Sequence, residues 1–373
     1  MEMKIFPAED RLQEALDAFD FGAPVLDAQR YGQGHINDTF CVQTQGAEGR
    51  RFILQRISPA AFKEPGHLME NVIGVTEYLR RQIIENGSDP SREALEVLRP
   101  RAGGAYFTDG GGCVWRVYPF VEGTICCQQA ETPELFAASG RAFGRFQRLL
   151  QDYPASTLYE TIPRFHDTEN RLANLKAAIA ADSMDRVKLC QPEIDFVLAR
   201  EKDCSVALQA LRDGKLPLRV THNDTKLNNV LLDAETGVGL CIIDLDTVMP
   251  GLAINDFGDS IRFGANHSAE DERDLSKVEL DVNLFAVYTA AFLEGAEGSL
   301  TDQEIALLPW GAKLMTLECG MRFLTDYLEG DHYFHTTRPG QNLDRCRTQF
   351  KLVSGMEARW AELEAIVNQY RTT

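Results

Sequence analysis

His222, Asp224 and Asn229 fall within eight consecutive residues, and Asp244 and Asp246 follow a short apolar run further on. These residue types, in this order, suit attack of a hydroxyl on phosphorus. Such a reaction needs positioning, charge neutralisation and a destination for a proton. Asp224 can accept that proton. Asn229 offers a neutral carbonyl oxygen and Asp244 a charged one, a donor set that Mg²⁺ shared with nucleotide phosphates accepts. Singly, each residue reads as turn or strand-end hydrogen bonding. Together and in sequence they point to phosphoryl transfer. His222 reads as a brace for the loop, Lys226 as a cation within reach of the transferring phosphate, and Asp246 as a structural carboxylate beside the metal ligand.

Short β-like runs at 218–221, 230–232 and 240–243 must hold this loop. Upstream, helical spacing at 9–19 precedes β-like runs at 25–31, 39–44 and 51–57. A helix is predicted over 65–85, ended by Asn86-Gly87. Strands at 103–108 and 112–120 flank the turn Asp109-Gly110-Gly111. From residue 133 the pattern turns helical, at 133–150, 167–181, 192–211, 271–293, 301–328 and 342–370. The expectation is an α+β, bilobal, protein-kinase-like fold, with a β-rich first lobe over 1–119 and a mainly helical second lobe over 120–373. The motif loop lies in the second lobe, and the junction runs through residues 118–123. In the turn between the first two strands, Gly32 and Gly34 could let backbone N–H groups approach phosphate. His35 follows in a loop that should overhang the site.

Composition narrows the partners. The net charge is −18 and no basic block stands out, so nucleic acid is a poor partner. Nine scattered cysteines without a Cys-x-x-Cys pair, no apolar leader and no long apolar run read as reduced thiols in a cytoplasmic protein, with no membrane span. The acidic stretch Glu270-Asp271-Glu272 and the pair Asn255-Asp256 read as helix-start and turn chemistry. His332 and His335 lack the spacing of a metal-hydrolase pair.

With His222, Asp224, Asn229 and Asp244 in hand, the chain resembles the aminoglycoside phosphotransferase-like kinase superfamily. Longer strings resemble the bacterial N-acetylhexosamine 1-kinases: residues 34–37, 115–118, 165–168, 190–196, 221–232, 243–247, 256–264 and 318–323. The resemblance implies ATP-dependent, Mg²⁺-dependent phosphorylation of N-acetylglucosamine or N-acetylgalactosamine at O1, by a monomer or weak homodimer. It implies Asp224 as base, Asn229 and Asp244 as metal and phosphate ligands, and Gly32, Gly34, Gln55, Phe120 and Val121 on the nucleotide. It makes His35, Asp224, Arg322 and Tyr333 the sugar contacts. One departure stands out: Gln55 occupies the third-strand position where the wider kinase pattern has lysine. Arg56 is adjacent and should face the other way. Two other readings stay open: a kinase of the same fold for an amino alcohol, homoserine or aminoglycoside, and a non-catalytic nucleotide- or sugar-binding regulator.

Overall fold

The structure, a computed structural model, describes residues 11–32, 36–46 and 49–371. Its elements begin with α1 (Leu12–Ala18), β1 (Val25–Arg30), β2 (Asp38–Thr44), β3 (Arg51–Arg56), α2 (Pro65–Glu85), a short α3 (Pro90–Glu93), β4 (Phe107–Thr108) and β5 (Val114–Pro119). The five strands form one antiparallel sheet in the order β1-β2-β3-β5-β4. Alternation decides its two faces. Phe40, Val42, Phe52, Leu54, Trp115 and Val117 face α1 and its neighbours Phe19 and Phe21. Gln55, opposite Thr39 on β2 and Arg116 on β5, faces the other way. Arg56, on the α1 face, donates to Asp38.

The helical region follows: β6 (Thr124–Cys126), α4 (Pro133–Leu149), α5 (Thr168–Ala181), α6 (Gln191–Leu198), α7 (Val206–Arg212), β7 (Arg219–Thr221), β8 (Val230–Asp233), β9 (Gly239–Ile242), β10 (Met249–Gly251), α8 (Ala253–Gly264), α9 (Val282–Ala296), α10 (Asp302–Ala306), α11 (Leu308–Glu329), α12 (Gln341–Ala358) and α13 (Trp360–Asn368). The bilobal α+β expectation holds. The apolar face of α2 packs on Val114 and Tyr118 and on Phe146, Val220, Leu245 and Val248, so one core spans sheet and helices.

Several expected elements differ. Of 103–108 only Phe107–Thr108 is strand, because Gly103 and Gly104 both sit at positive φ and turn the chain. The helix expected over 192–211 breaks into α6 and α7, its charged middle held at the surface by Arg200–Glu357 and Lys313–Asp203 pairs. The one expected over 271–293 starts only at Val282, where the Asp281 side chain caps the first turn. The 301–328 helix divides before Pro309, which opens α11, and the 342–370 helix divides at Arg359. Helix α8 has no counterpart among the expected elements, although Ile254, Phe257 and Ile261 recur at helical spacing; its polar positions Asn255, Asp256 and Asp259 are buried as well.

Helix α8 crosses α11 at near backbone contact. A Cβ on Gly311 would stand 2.0 Å from the Ile254 carbonyl oxygen, and one on Gly258 would stand 2.2 Å from the Gly311 oxygen. Gly311→Ala is therefore expected to cost about 1–3 kcal/mol of stability, read from the midpoint of urea unfolding. A wild-type midpoint would show that the helices can separate freely.

Candidate active site

The loop between β7 and β8 carries the motif, and α8 holds it in place. Asp256 accepts the backbone N–H groups of His222 (2.9 Å) and Asn223 (2.8 Å) and the side-chain amide of Gln147 (2.8 Å). Asp259 accepts the Thr225 N–H at 3.0 Å and pairs with Arg262. Burial raises the proton affinity of Asp256 despite these donors. For Asp259 burial pulls the same way, but Arg262 and Lys226 outweigh it and hold its pKa low. Asp256 is thus more than turn chemistry: its place in the first turn of α8 lets one carboxylate order two successive loop amides. His222 is fully buried, packs edge-on against Phe143, accepts the Asp224 N–H on Nδ1 and meets the Ile243 carbonyl through Nε2. That network assigns the Nε2–H tautomer and makes the ring a brace.

Asp224 is half-buried, with one carboxylate oxygen 2.8 Å from Lys226 Nζ. Burial opposes the Lys226 charge, yet Asp224 and Asp259 raise its pKa. Asn229 Nδ2 donates to the Asp224 carbonyl (2.7 Å) and carboxylate (3.2 Å), which frees the amide oxygen for another partner. Asp244 follows β9 with φ 58°, open to the cleft but ringed by protein. Burial, Asp246 and Asp224 push its pKa up to about 6, against the pull of His222 and Arg116. An amide oxygen beside a carboxylate with two acidic neighbours suits a divalent cation. Among the described residues no three His, Cys, Asp or Glu side chains converge as a cage, so such a cation would take its remaining ligands from phosphate and water.

Two connections were missed in the sequence. Asp246, buried, accepts from Asn37 Nδ2 (2.6 Å) and ion-pairs with Arg116. Arg116 is 1 % exposed and also gives two hydrogen bonds to Gln55 Oε1, at 2.9 and 3.0 Å, while Gln55 Nε2 donates to Thr39. The signal was a charged residue inside the apolar run Val114–Pro119. On α2 the buried polar residues are Asn71, which bonds Tyr159 and Val248, and Thr76, which bonds its own helix backbone, and among the described residues no lysine–glutamate pair joins β3 to this helix. The second connection is His166. Its ring meets Glu318 Oε1 at 2.9 Å and the Asn223 carbonyl at 3.1 Å. Burial opposes a charge on this ring, but the hydrogen bond and charge of Glu318 outweigh it and raise its pKa.

One turn beyond Glu318 on α11 lies Arg322, brought together with Tyr333 (Nη2 to hydroxyl, 3.4 Å). Its guanidinium lies 5.3–5.6 Å from the rings of Phe165, Phe334 and Tyr333. Tyr333 is 69 % exposed. Arg171 is close enough that burial and the Arg322 charge lower its pKa. Phe120 is covered by Arg51 and touched edge-on by Tyr31, and Val121 is buried. Both line a cavity of about 740 Å³ beside the segment joining the sheet to the helices, which none of Asp224, Asn229 or Asp244 reaches. Gly32 has φ +79°, as a tight turn requires. Gly34 and His35 lie outside the described residues.

The Asp244 shift has a measurable sign. The folded carboxyl keeps its proton to a higher pH than the unfolded one, so its contribution to stability is full below about pH 4 and lost as pH rises through about 6. Without divalent cations, Asp244→Asn should melt above wild type near pH ~8, and the gap should close towards pH ~4 in scanning calorimetry. A gap that widens on acidification would contradict the electrostatic picture.

Residues 27–288 match APH, the phosphotransferase enzyme family. The microcompartment-associated aminopropanol kinase superposes with a TM-score of 0.58 at 16% identity, over 95% of this chain and 98% of that one. An aminoglycoside phosphotransferase from Alicyclobacillus acidocaldarius gives 0.60 at 15%, over 99% and 98%. An amicoumacin kinase in complex with AMP-PNP, Ca²⁺ and Ami gives 0.55 at 15%, over 98% and 95%. At such identities the superpositions speak for the fold, while the family match spans well over half of the sequence. The chain belongs to the APH phosphotransferase family.

Proposed function

We propose that the protein transfers the γ-phosphoryl group of ATP, with Mg²⁺, to O1 of N-acetylglucosamine or N-acetylgalactosamine. The observation that carries the acceptor is the wall around Arg322. Phe165, Tyr333 and Phe334 offer aromatic faces for a sugar ring, and Arg322 with Arg171 offers donors for hydroxyl and acetamido oxygens. Two neighbouring arginines repel a cationic acceptor, which disfavours amino alcohols and aminoglycosides. The acidic stretch gives such an acceptor little help, because Glu270 pairs with Arg262 and Arg345, and Asp271 with Arg338.

In this reading Asp224 takes the proton of the anomeric hydroxyl as its oxygen bonds to phosphorus and ADP departs. Lys226 steadies that carboxylate and faces the transferring group. Asn229 and Asp244 hold the cation, which when bound neutralises phosphate charge. Residues 1–119 form the nucleotide lobe, with Gly32, Gly34 and Gln55 towards the phosphates. Phe120 and Val121 lie towards the base, at the start of the lobe 120–373. His35 joins Arg322 and Tyr333 on the sugar.

Asp224→Asn should lower kcat by about 10²–10⁴-fold while the circular dichroism spectrum and nucleotide binding persist. Near-normal turnover would remove Asp224 as base. In a panel of acceptors with ATP and Mg²⁺, the two N-acetylhexosamines should release ADP fastest. Equal or faster turnover of choline, homoserine or an aminoglycoside would overturn the acceptor.

A further inference from the structure

We propose that Arg116 is the phosphate-binding cation of this site, entering from β5 where the wider kinase pattern supplies a lysine from β3, with Gln55 and Asp246 as its positioning residues. The inference rests on the phosphoryl-transfer reading above and adds a nucleotide contact to it.

Register supplies the first argument. Gln55 and Arg116 are directly opposed on β3 and β5, and both side chains leave the face away from α1. The cation missing from one strand is thus present one strand over, at the same height. A guanidinium reaches further than the amide that replaced the lysine.

The hold on the guanidinium supplies the second. Gln55 Oε1 takes one hydrogen from Nε and one from Nη2, and Asp246 faces Nη1. A guanidinium has five N–H groups, so these contacts leave donors on both terminal nitrogens unaccounted for. Nη1 is buried without a hydrogen-bond partner beyond that ion pair, and phosphate oxygens accept from such guanidinium donors in pairs. Gln55 also gives its own amide to Thr39, which fixes the orientation of the oxygen that Arg116 grips.

Location supplies the third. Asp246, the ion-pair partner of Arg116, is two residues past Asp244. Asn37, immediately before β2, binds the same Asp246 carboxylate. Arg116 therefore stands where the cation-binding carboxylate, the first-hairpin loop and the sheet meet, the place phosphates must occupy if Asp244 holds their cation.

The test compares MgATP with adenosine by titration calorimetry on the full chain. Arg116→Gln should weaken MgATP about tenfold or more and leave adenosine within about twofold, since adenosine has no phosphate to lose. The double variant Gln55→Lys/Arg116→Gln, which returns the cation to β3, should bind MgATP more tightly than the single variant. If Arg116→Gln does not fold, Arg116→Lys carries the same comparison, with a smaller loss for MgATP and none for adenosine. Equal affinity for MgATP in the variant and wild type would overturn the proposal, and so would an equal loss for both ligands, which marks a purely structural arginine. A wild-type protein that binds no MgATP would instead remove the phosphoryl-transfer reading itself.

Discussion

Asp256 is a carboxylate with 1 % exposure on which the geometry of the 222–229 loop depends. It takes two backbone amides and one side-chain amide on its oxygens, and its own carbonyl takes the Thr225 hydroxyl. A buried carboxylate without such donors costs several kcal/mol, roughly the whole margin of a folded domain's stability. The donors are therefore as necessary to α8 as α8 is to them. The bracing has something to oppose: Asn223 lies at φ 65° and Asp244 at φ 58°, left-handed positions that a non-glycine residue holds only under constraint. The close α8–α11 crossing transmits the constraint to the helical core.

From that fixed loop two further links run outward. Asp246 ties Asn37 and Arg116 to the segment after β9, so one buried carboxylate bonds the sheet to the helical region beside their shared apolar core. His166 ties the Asn223 carbonyl to Glu318 on α11, and Thr168 completes the acceptor set of that glutamate. Arg322 follows one turn later. The proposed acceptor wall is thus registered on the same loop that carries Asp224, through the buried His166 ring. Thr247, next to Asp246, bonds His222 and Asn223, so the proposed nucleotide side and the proposed acceptor side are both tied to 222–225, as an in-line transfer between them requires.

Sequence showed most clearly what is local. Residues 222–229 and 244 sit close together in the chain, and α2 could be bounded to the residue because Pro65 opens it and Asn86-Gly87 closes it. Alternation gave β2 and β3 for the same reason. What was hidden depends on distant partners. Asp256 read as turn chemistry because its partners are the loop amides more than thirty residues back. Helix α8 buries its polar residues too, and their partners on the 222–225 loop cannot be read from its own spacing. Arg116 was visible as a charge in an apolar strand, but its role depends on Gln55 and Asp246, from two other parts of the chain. The pair of His166 and Glu318 bridges 152 positions, beyond any spacing rule.

The central claim is that a sugar's anomeric oxygen meets Asp224 while Arg322 and Tyr333 hold the ring. A crystal structure with N-acetylglucosamine and a non-hydrolysable ATP analogue tests it most directly. The account predicts O1 within hydrogen-bonding distance of the Asp224 carboxylate, about 2.6–3.2 Å, and in line with the γ-phosphorus. A sugar bound elsewhere, or one presenting another hydroxyl to Asp224, would contradict it.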